Sequence, residues 1–545
     1  MFSVRKIFAL LALLVMSSCG DSKPPSFLSN PEISPNPNTA APLVAFLECS
    51  TDEPSRVVLI VSDGKVEREI QLREDFATDH RLPVLGLVAG RAYSIRVRAV
   101  DLAGNWVEAE SQLEYRTPSL PDDFPPIAVR VSQPDRMEPG VTLLEVRRMR
   151  NKELYFFLAV NSRGEVIWYY RHKDSTRYLS ILPNGNLLYL SNYNKAIEIR
   201  LTGEIVRQWH AAKHPNNGNP LDVSSESIPV NVETFHHEII QVPNGNYMTL
   251  STEIRTVNNF PKDLKNPKSP EVKANIIGDV VVEFQPDGKI ANQWNLLDLL
   301  DPNRYGYSSA GPYWDGKGYG HVQGGTKDRD HANSLRYDQS DDSIIVSVRH
   351  QDAVVKFSRQ TGNLVWILGP HAGWAERWQP FLLRPLGFLE WPSHQHDARI
   401  TQDGSLSMFD NGNYRTWPPE PKAPAREAYS RAVEFKVDEH ARTVEQVWAY
   451  GGPGPEAFFS SFQGGVEFLP ITGNILITDG GRTSTEQGEF ARIAEADRVA
   501  GRIVEVTHSE SPEIVFELFV EDLSAEKPFK WCIYRSHRLP SFYFP

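Results

Sequence analysis

Cysteine is scarce, with three residues in 545, at positions 19, 49 and 532. That is too few for a disulfide scaffold or a cysteine-rich zinc module. Basic charge is also short. Lys and Arg total 57 against 69 Asp and Glu, a formal net charge of −12, which disfavours nucleic acid or an anionic membrane surface as a partner. No GxxxxGK[ST] run occurs, and no GxGxxG follows a strand and opens a helix, so no nucleotide cofactor has a visible cradle. Long helical patterns are lacking as well. The 36 Gly and 40 Pro punctuate the chain with turns and favour an all-β protein.

What is present begins with MFSVRKIFALLALLVMSSCG. Arg5 and Lys6 precede an apolar run from Ile7 to Met16 and small residues before Cys19, the layout of a signal peptide over residues 1–18. The Met16-Ser17-Ser18-Cys19 ending resembles a bacterial lipobox, which implies lipid on the Cys19 sulfur; Gly20 in place of aspartate leans towards the outer membrane, facing the periplasm. Residues 19–40, rich in Pro, Ser and Asn, are expected to be a flexible tether without a fold. In that oxidising space Cys49 and Cys532 either pair or stay as buried thiols. From 41 to 117 short alternating runs such as SRVVLIVSD and LVAGRAYSIRVRAVDLAGN resemble a fibronectin III or Ig-like β-sandwich. The spacer PSLPDDFPP separates it from residues 127–545.

The rest of the chain repeats itself. A turn followed by a strand ending in an aromatic recurs at Trp168, Trp209, Trp294, Trp366, Trp448 and Phe516. Most units also carry an earlier hairpin, such as SILPNGNLLYL, IIQVPNGNYMTL or ARITQDGSLSMF, whose Asn-Gly and Asp-Gly turns supply positive φ. Two hairpins per unit make a four-stranded blade, and six units predict a six-bladed β-propeller. The first unit is expected to borrow strands from GVTLLEVRRM or from the C-terminal tail. Uneven spacing places insertions around 211–230, 255–276, 296–330 and 370–393, candidates for the walls of a binding mouth.

In a propeller the first strand of each blade lines the central channel. Those segments read FHHEIIQ (His236, His237), DHANSLR (His331, Asn333), SHQHDARI (His394, His396) and SFQGGVEF (Gln463), and Arg349 and His350 follow one hairpin after His331. Five of the 15 histidines fall in three of these segments, which points to one convergent site. Imidazoles with one guanidinium and an amide suit transfer of an anionic group. A metal site built from His236-His237 or His394-x-His396, with Glu238 or Asp397, is the rival. Against it, neighbours on a strand point to opposite faces, so His236 and His237 are not expected to share an ion, and only one of them is expected to face the channel.

The stretches DHANSLRYDQSDDSIIVSVRHQDAVVKFSRQTGNLVWILGP, QHDARITQDGSLSMFDNG and IYRSHRLPSFY resemble bacterial arylsulfate sulfotransferases that work without PAPS. That resemblance implies a six-bladed propeller that moves a sulfuryl group between phenols through a sulfated histidine, by ping-pong turnover and with no cofactor. It implies His396 as nucleophile, His331 and Arg349 with His236 or His237 as further catalytic groups, and Asn333, His350 and Gln463 in substrate binding, with no metal. Gln463 stands where an example of that family has a threonine before the last blade's inner strand, a departure that bears on donor or acceptor preference. The partners implied are aryl sulfates and phenols, with the membrane reached only through Cys19 and no nucleic acid; a homodimer is left open. A non-catalytic ligand-binding propeller, a sulfatase and a metal-dependent hydrolase are the alternatives.

Overall fold

The computed structural model describes residues 23–543 apart from 73–74, 150–152, 267, 402 and 524–527; the leader and Cys19 lie outside the described residues. Strands build almost everything in it. An N-terminal β-domain is followed by six further sheets, each based on four antiparallel strands.

The N-terminal domain is organised by one long strand, Ala45–Ser62. Its first half pairs with Phe27–Pro35 and Ala77–Val84, its second with Glu67–Gln71 and Ala92–Asp101. A register shift between Ser50 and Ser55 marks the change of neighbours. Alternate residues of these strands, among them Leu47, Leu59, Leu82, Tyr93 and Val97, enclose the core. The Tyr93 hydroxyl accepts the Val88 N–H at 2.9 Å and pins the connection before its own strand. Residues 27–35, expected to belong to an unfolded tether, instead form an edge strand. Pro31 and Pro35 are tolerated because an edge strand needs hydrogen bonds on one side only. Cys49 is a buried thiol in this core and does not bridge to Cys532, which is buried on a strand of a different sheet.

Each of the six aromatic-ended segments falls on the fourth strand of a sheet, from Trp168 on Val166–His172 to Phe516 on Ile514–Val520. Their rings fill the spaces between sheets: Trp209 packs with Tyr247 and Phe284 of the next sheet, and its indole donates to Pro286 O. The first sheet joins Val141–Met149, Leu154–Val160 and Val166–His172 to Lys530–Leu539 from the far end of the chain. Both sources anticipated for it are used. The sixth sheet in turn takes Ile127–Ser132 along its outer edge.

The leading strands of the second to sixth sheets are Thr176–Ile181, His236–Gln241, Ala332–Asp338, His396–Ile400 and Gly465–Phe468. Consecutive leading strands touch, and Lys530–Leu539 touches both Thr176–Ile181 and Gly465–Phe468. Most of them carry a bulge. Register slips at Tyr178, at His237-Glu238, at Asn333, at Asp397-Ala398 and at Tyr534-Arg535. Tyr178, His237 and Asp397 have positive φ, as do His331 and Gln463 just before their strands. A bulge bends its strand and re-aims the side chains on it.

Candidate active site

A cavity of about 390 Å³ opens where the leading strands meet. Its wall includes His237, His331, Arg349, His350, His396 and Gln463, together with Tyr313 and Asp328 of the 296–330 insertion. Of the four insertions anticipated, this one alone contributes to the lining among the described residues. Met149, Phe462, Ile493, Tyr313 and Tyr534 supply an apolar surface beside the imidazoles. A separate cleft between the N-terminal domain and the C-terminal residues 540–543 holds none of these groups.

His396 is held in one tautomer. The Asn411 amide nitrogen donates to Ser460 O and Gln463 O, both at 2.8 Å, which turns Oδ1 towards the histidine. His396 Nδ1 lies 2.6 Å from that oxygen. Nδ1–H therefore donates to Asn411, and Nε2 keeps its lone pair. Burial, with Arg349 nearby, holds the imidazole well below its usual pKa. A neutral, oriented imidazole with a basic nitrogen is a competent nucleophile.

Asp328 organises the other side. Its carboxylate accepts from the Trp314 indole at 2.9 Å and from His331 Nδ1 at 2.5 Å, and its carbonyl accepts from His350 Nδ1 at 2.8 Å. Burial pushes the Asp328 carboxyl up, so it is a stronger base towards the His331 proton. Arg349 donates to His350 Nε2 at 2.8 Å, which requires a neutral His350. Burial supplies that by pushing its pKa well down. Asp328, His331 and His350 also offer ligand atoms within 4.8 Å of one another, a different set from the His236-His237 and His394-x-His396 rivals. The His331 and His350 rings stack at 4.6 Å and 22°, with both Nδ1 atoms turned towards Asp328. The existing hydrogen bonds describe a relay.

The opposite-face rule fails at the double histidine. With φ 56° at His237, the two Nδ1 atoms come to 2.8 Å. His236 Nε2 lies 3.0 Å from Ser251 O, to which it must donate. Its Nδ1 is then the acceptor, and His237 Nδ1 the donor. His237 lines the cavity, while His236 is fully buried behind it with a pKa pushed down to about 3 by burial. His237 also meets His331 ring to ring at 4.8 Å.

Family models match most of the chain: residues 128–535 match the arylsulfotransferase (ASST) family, and residues 32–118 the arylsulfotransferase Ig-like domain. This chain belongs to the arylsulfotransferase family. Among curated relatives, the arylsulfate sulfotransferase AssT of Escherichia coli O6:H1 is 32% identical over 287 residues, 45% of either chain. AssT of Lelliottia amnigena is 29% identical over 273 residues, 42% of this chain and 44% of its own. The matches thus span less than half the length of those relatives.

In this arylsulfotransferase-family chain, Asn333 departs from its expected place. It is fully buried and absent from the cavity wall; its side-chain amide donates to Gln395 O at 2.7 Å, its Oδ1 is buried without a hydrogen-bond partner, and its backbone carbonyl accepts from Arg535. The bulge at Asn333 presents its backbone carbonyl to Arg535 of a charge network that holds Glu238, Asp397, Arg336, Arg399 and Arg535. Gln463 does line the cavity, with its Oε1 buried and without a hydrogen-bond partner. His394 is not in the wall; its Nε2 meets Ser308 Oγ at 2.8 Å. Two organising residues carried no role in the sequence reading. Asp328, three residues before His331, and Asn411, in the FDNG stretch, are short polar residues next to recognised motifs, but their partners are set by tertiary contacts.

Proposed function

We propose that this protein is an arylsulfate sulfotransferase whose catalytic region is a six-bladed β-propeller. The succession of touching leading strands, with the C-terminal strand between the second and sixth sheets, supports the propeller reading. The observation that carries the activity is the tautomer of His396: Nδ1–H fixed on Asn411 and a lone pair on Nε2, in the same cavity wall as Arg349.

An aryl sulfate places one negative charge on three sulfuryl oxygens, and sulfuryl transfer, like phosphoryl transfer, proceeds through a loose in-line transition state. His396 Nε2 forms the N–S bond as the S–O(aryl) bond breaks. Arg349 holds the sulfuryl oxygens, and His331 in its doubly protonated form, with Nδ1–H held by Asp328, gives its Nε2 proton to the departing phenolate. In the second half His331 takes the proton of an acceptor phenol, whose oxygen attacks sulfur and frees His396. His237 stands beside His331 and completes the polar wall. The reaction is ping-pong and uses the donor itself in place of PAPS. The leader around Arg5, Lys6 and Cys19 supports a periplasmic location with a lipid on Cys19.

The test is to follow nitrophenolate release from para-nitrophenyl sulfate with and without added phenol. Acceptor-dependent release that survives EDTA is expected. Release that ignores the acceptor supports a sulfatase, loss with EDTA supports a metal hydrolase, and ligand binding without turnover supports a binding propeller.

A further inference from the structure

The cavity holds more positive charge than one sulfate needs. Three cations line it, Arg147, Lys317 and Arg349, and none of them forms an ion pair among the described residues. In a chain of net charge −12 this is unusual: Arg336, Arg399 and Arg535, in the adjoining network, are all matched to carboxylates. Arg349 is accounted for by the sulfuryl group. Arg147 and Lys317 are not.

Arg147 projects from Val141–Met149 of the first sheet, opposite Cys532, and its Nε is buried without a hydrogen-bond partner. Lys317 ends the short turn Tyr313–Lys317 of the 296–330 insertion and lies over the rings of Tyr193 and Tyr313 at 5.1 and 5.9 Å. Two carboxylates also line the cavity, and both are occupied. Asp328 is bound to His331, while the exposed Glu153 accepts from the Tyr155 hydroxyl. Partly buried cations left unmatched by the protein are costly unless a ligand matches them. The same cavity is lined by the apolar and aromatic side chains Met149, Phe462, Ile493 and Tyr534, a surface suited to an aryl ring.

We infer that the phenolic substrate of this site carries a second anionic group, a carboxylate on the ring or on a short arm, which Arg147 and Lys317 bind while the phenolic oxygen faces His396 and His331. The inference rests on the sulfotransferase reading and adds the substrate class to it. No further covalent step is involved, since the carboxylate is bound and not changed.

The experiment uses para-nitrophenyl sulfate as donor and compares four acceptors: para-hydroxyphenylacetate, its methyl ester, phenol and tyramine. The acid should exceed the ester at least tenfold in kcat/KM, through KM, because binding is uniform across ground and transition states. Tyramine, a cation, should be the poorest. In the Arg147→Gln/Lys317→Gln double variant the acid-to-ester ratio should fall to about one. The wild-type ratio stands whether or not the variant folds. Transfer to phenol with acid, ester and tyramine equivalent overturns the inference and leaves the sulfotransferase reading intact. Transfer to none of the four overturns both.

Discussion

Consecutive residues of the leading strands go to opposite fates. His237, His396 and Tyr534 line the cavity, whereas their immediate successors Glu238, Asp397 and Arg535 are buried in a network of opposed charges. Burial and Arg349 keep the His396 imidazole neutral. Each network member is charged, and is matched: Arg336 reaches both Glu238 and Asp397, Arg399 holds Asp397 at 2.9 Å and Glu467 at 3.0 Å, and His537 meets Glu467 at 2.8 Å. One backbone device, the bulge, produces both regions. The comparison teaches that the network fixes the bulges, and the bulges fix the imidazoles; catalysis and stability are divided between neighbours in sequence.

Substitutions across that divide should separate the two properties. His396→Ala should lower transfer by roughly 10⁶-fold, the scale seen when a covalent catalytic unit is broken, with the urea midpoint near that of the parent. Asp397→Asn, one residue on, should do the reverse. Burial opposes ionisation of Asp397, but Arg399, Arg535 and Arg336 outweigh it and hold the carboxyl well below the usual range. Removing that charge leaves the buried Arg535 and the partly buried Arg336 and Arg399 short of a partner, at a cost of about 3–5 kcal/mol in urea unfolding. Equal loss of stability in both variants would erase the distinction.

Smaller effects sharpen the same contrast. Asn411→Ala should slow sulfation of the enzyme by about a hundredfold while leaving the fold intact, because the imidazole loses the acceptor that sets its tautomer; single-turnover release of nitrophenolate measures it. Burial and Arg349 keep His396 unprotonated, so that step should stay flat from about pH 7.5 to about pH 5.5, through the range where an ordinary imidazole gains its proton. The network responds at lower pH. Burial raises the Glu467 carboxyl, yet the His537 hydrogen bond and the charges of His537 and Arg399 prevail and hold it at about 2. Its folded pKa lies below the unfolded value of about 4.3, so its stabilisation is complete above that value and fades as pH falls towards 2. Thermal midpoints across that window should drop in the parent and drop less in Glu467→Gln.

Much of this was legible in the sequence, because repetition leaves a trace that single residues do not. The aromatic-ended strands at Trp168, Trp209 and Trp366 fall on the fourth strands of their sheets, and three of the leading-segment histidines, His237, His331 and His396, line one cavity. What was hidden is what depends on the bulges. Period-two alternation assigns His236 and His237 to opposite faces, but a positive φ at His237 places both on one hydrogen bond. Asn333 lies outside the cavity wall for a related reason, as its bulge sends the side-chain amide to Gln395 O. Asp328 and Asn411 were overlooked because a short acceptor gains its meaning from the histidine it meets across the fold. The strand at 27–35 escaped because its prolines read as linker, a composition that an edge strand also permits.

The division of labour rests on His396 carrying the sulfuryl group. The most direct measurement is to mix the protein with an aryl sulfate and no acceptor, quench in alkali, and map the peptides by mass spectrometry. The account predicts the mass of one SO₃ group on His396, discharged when phenol is added and absent in His396→Ala. A stable adduct on another residue, or turnover of the donor with His396 never modified, would contradict it.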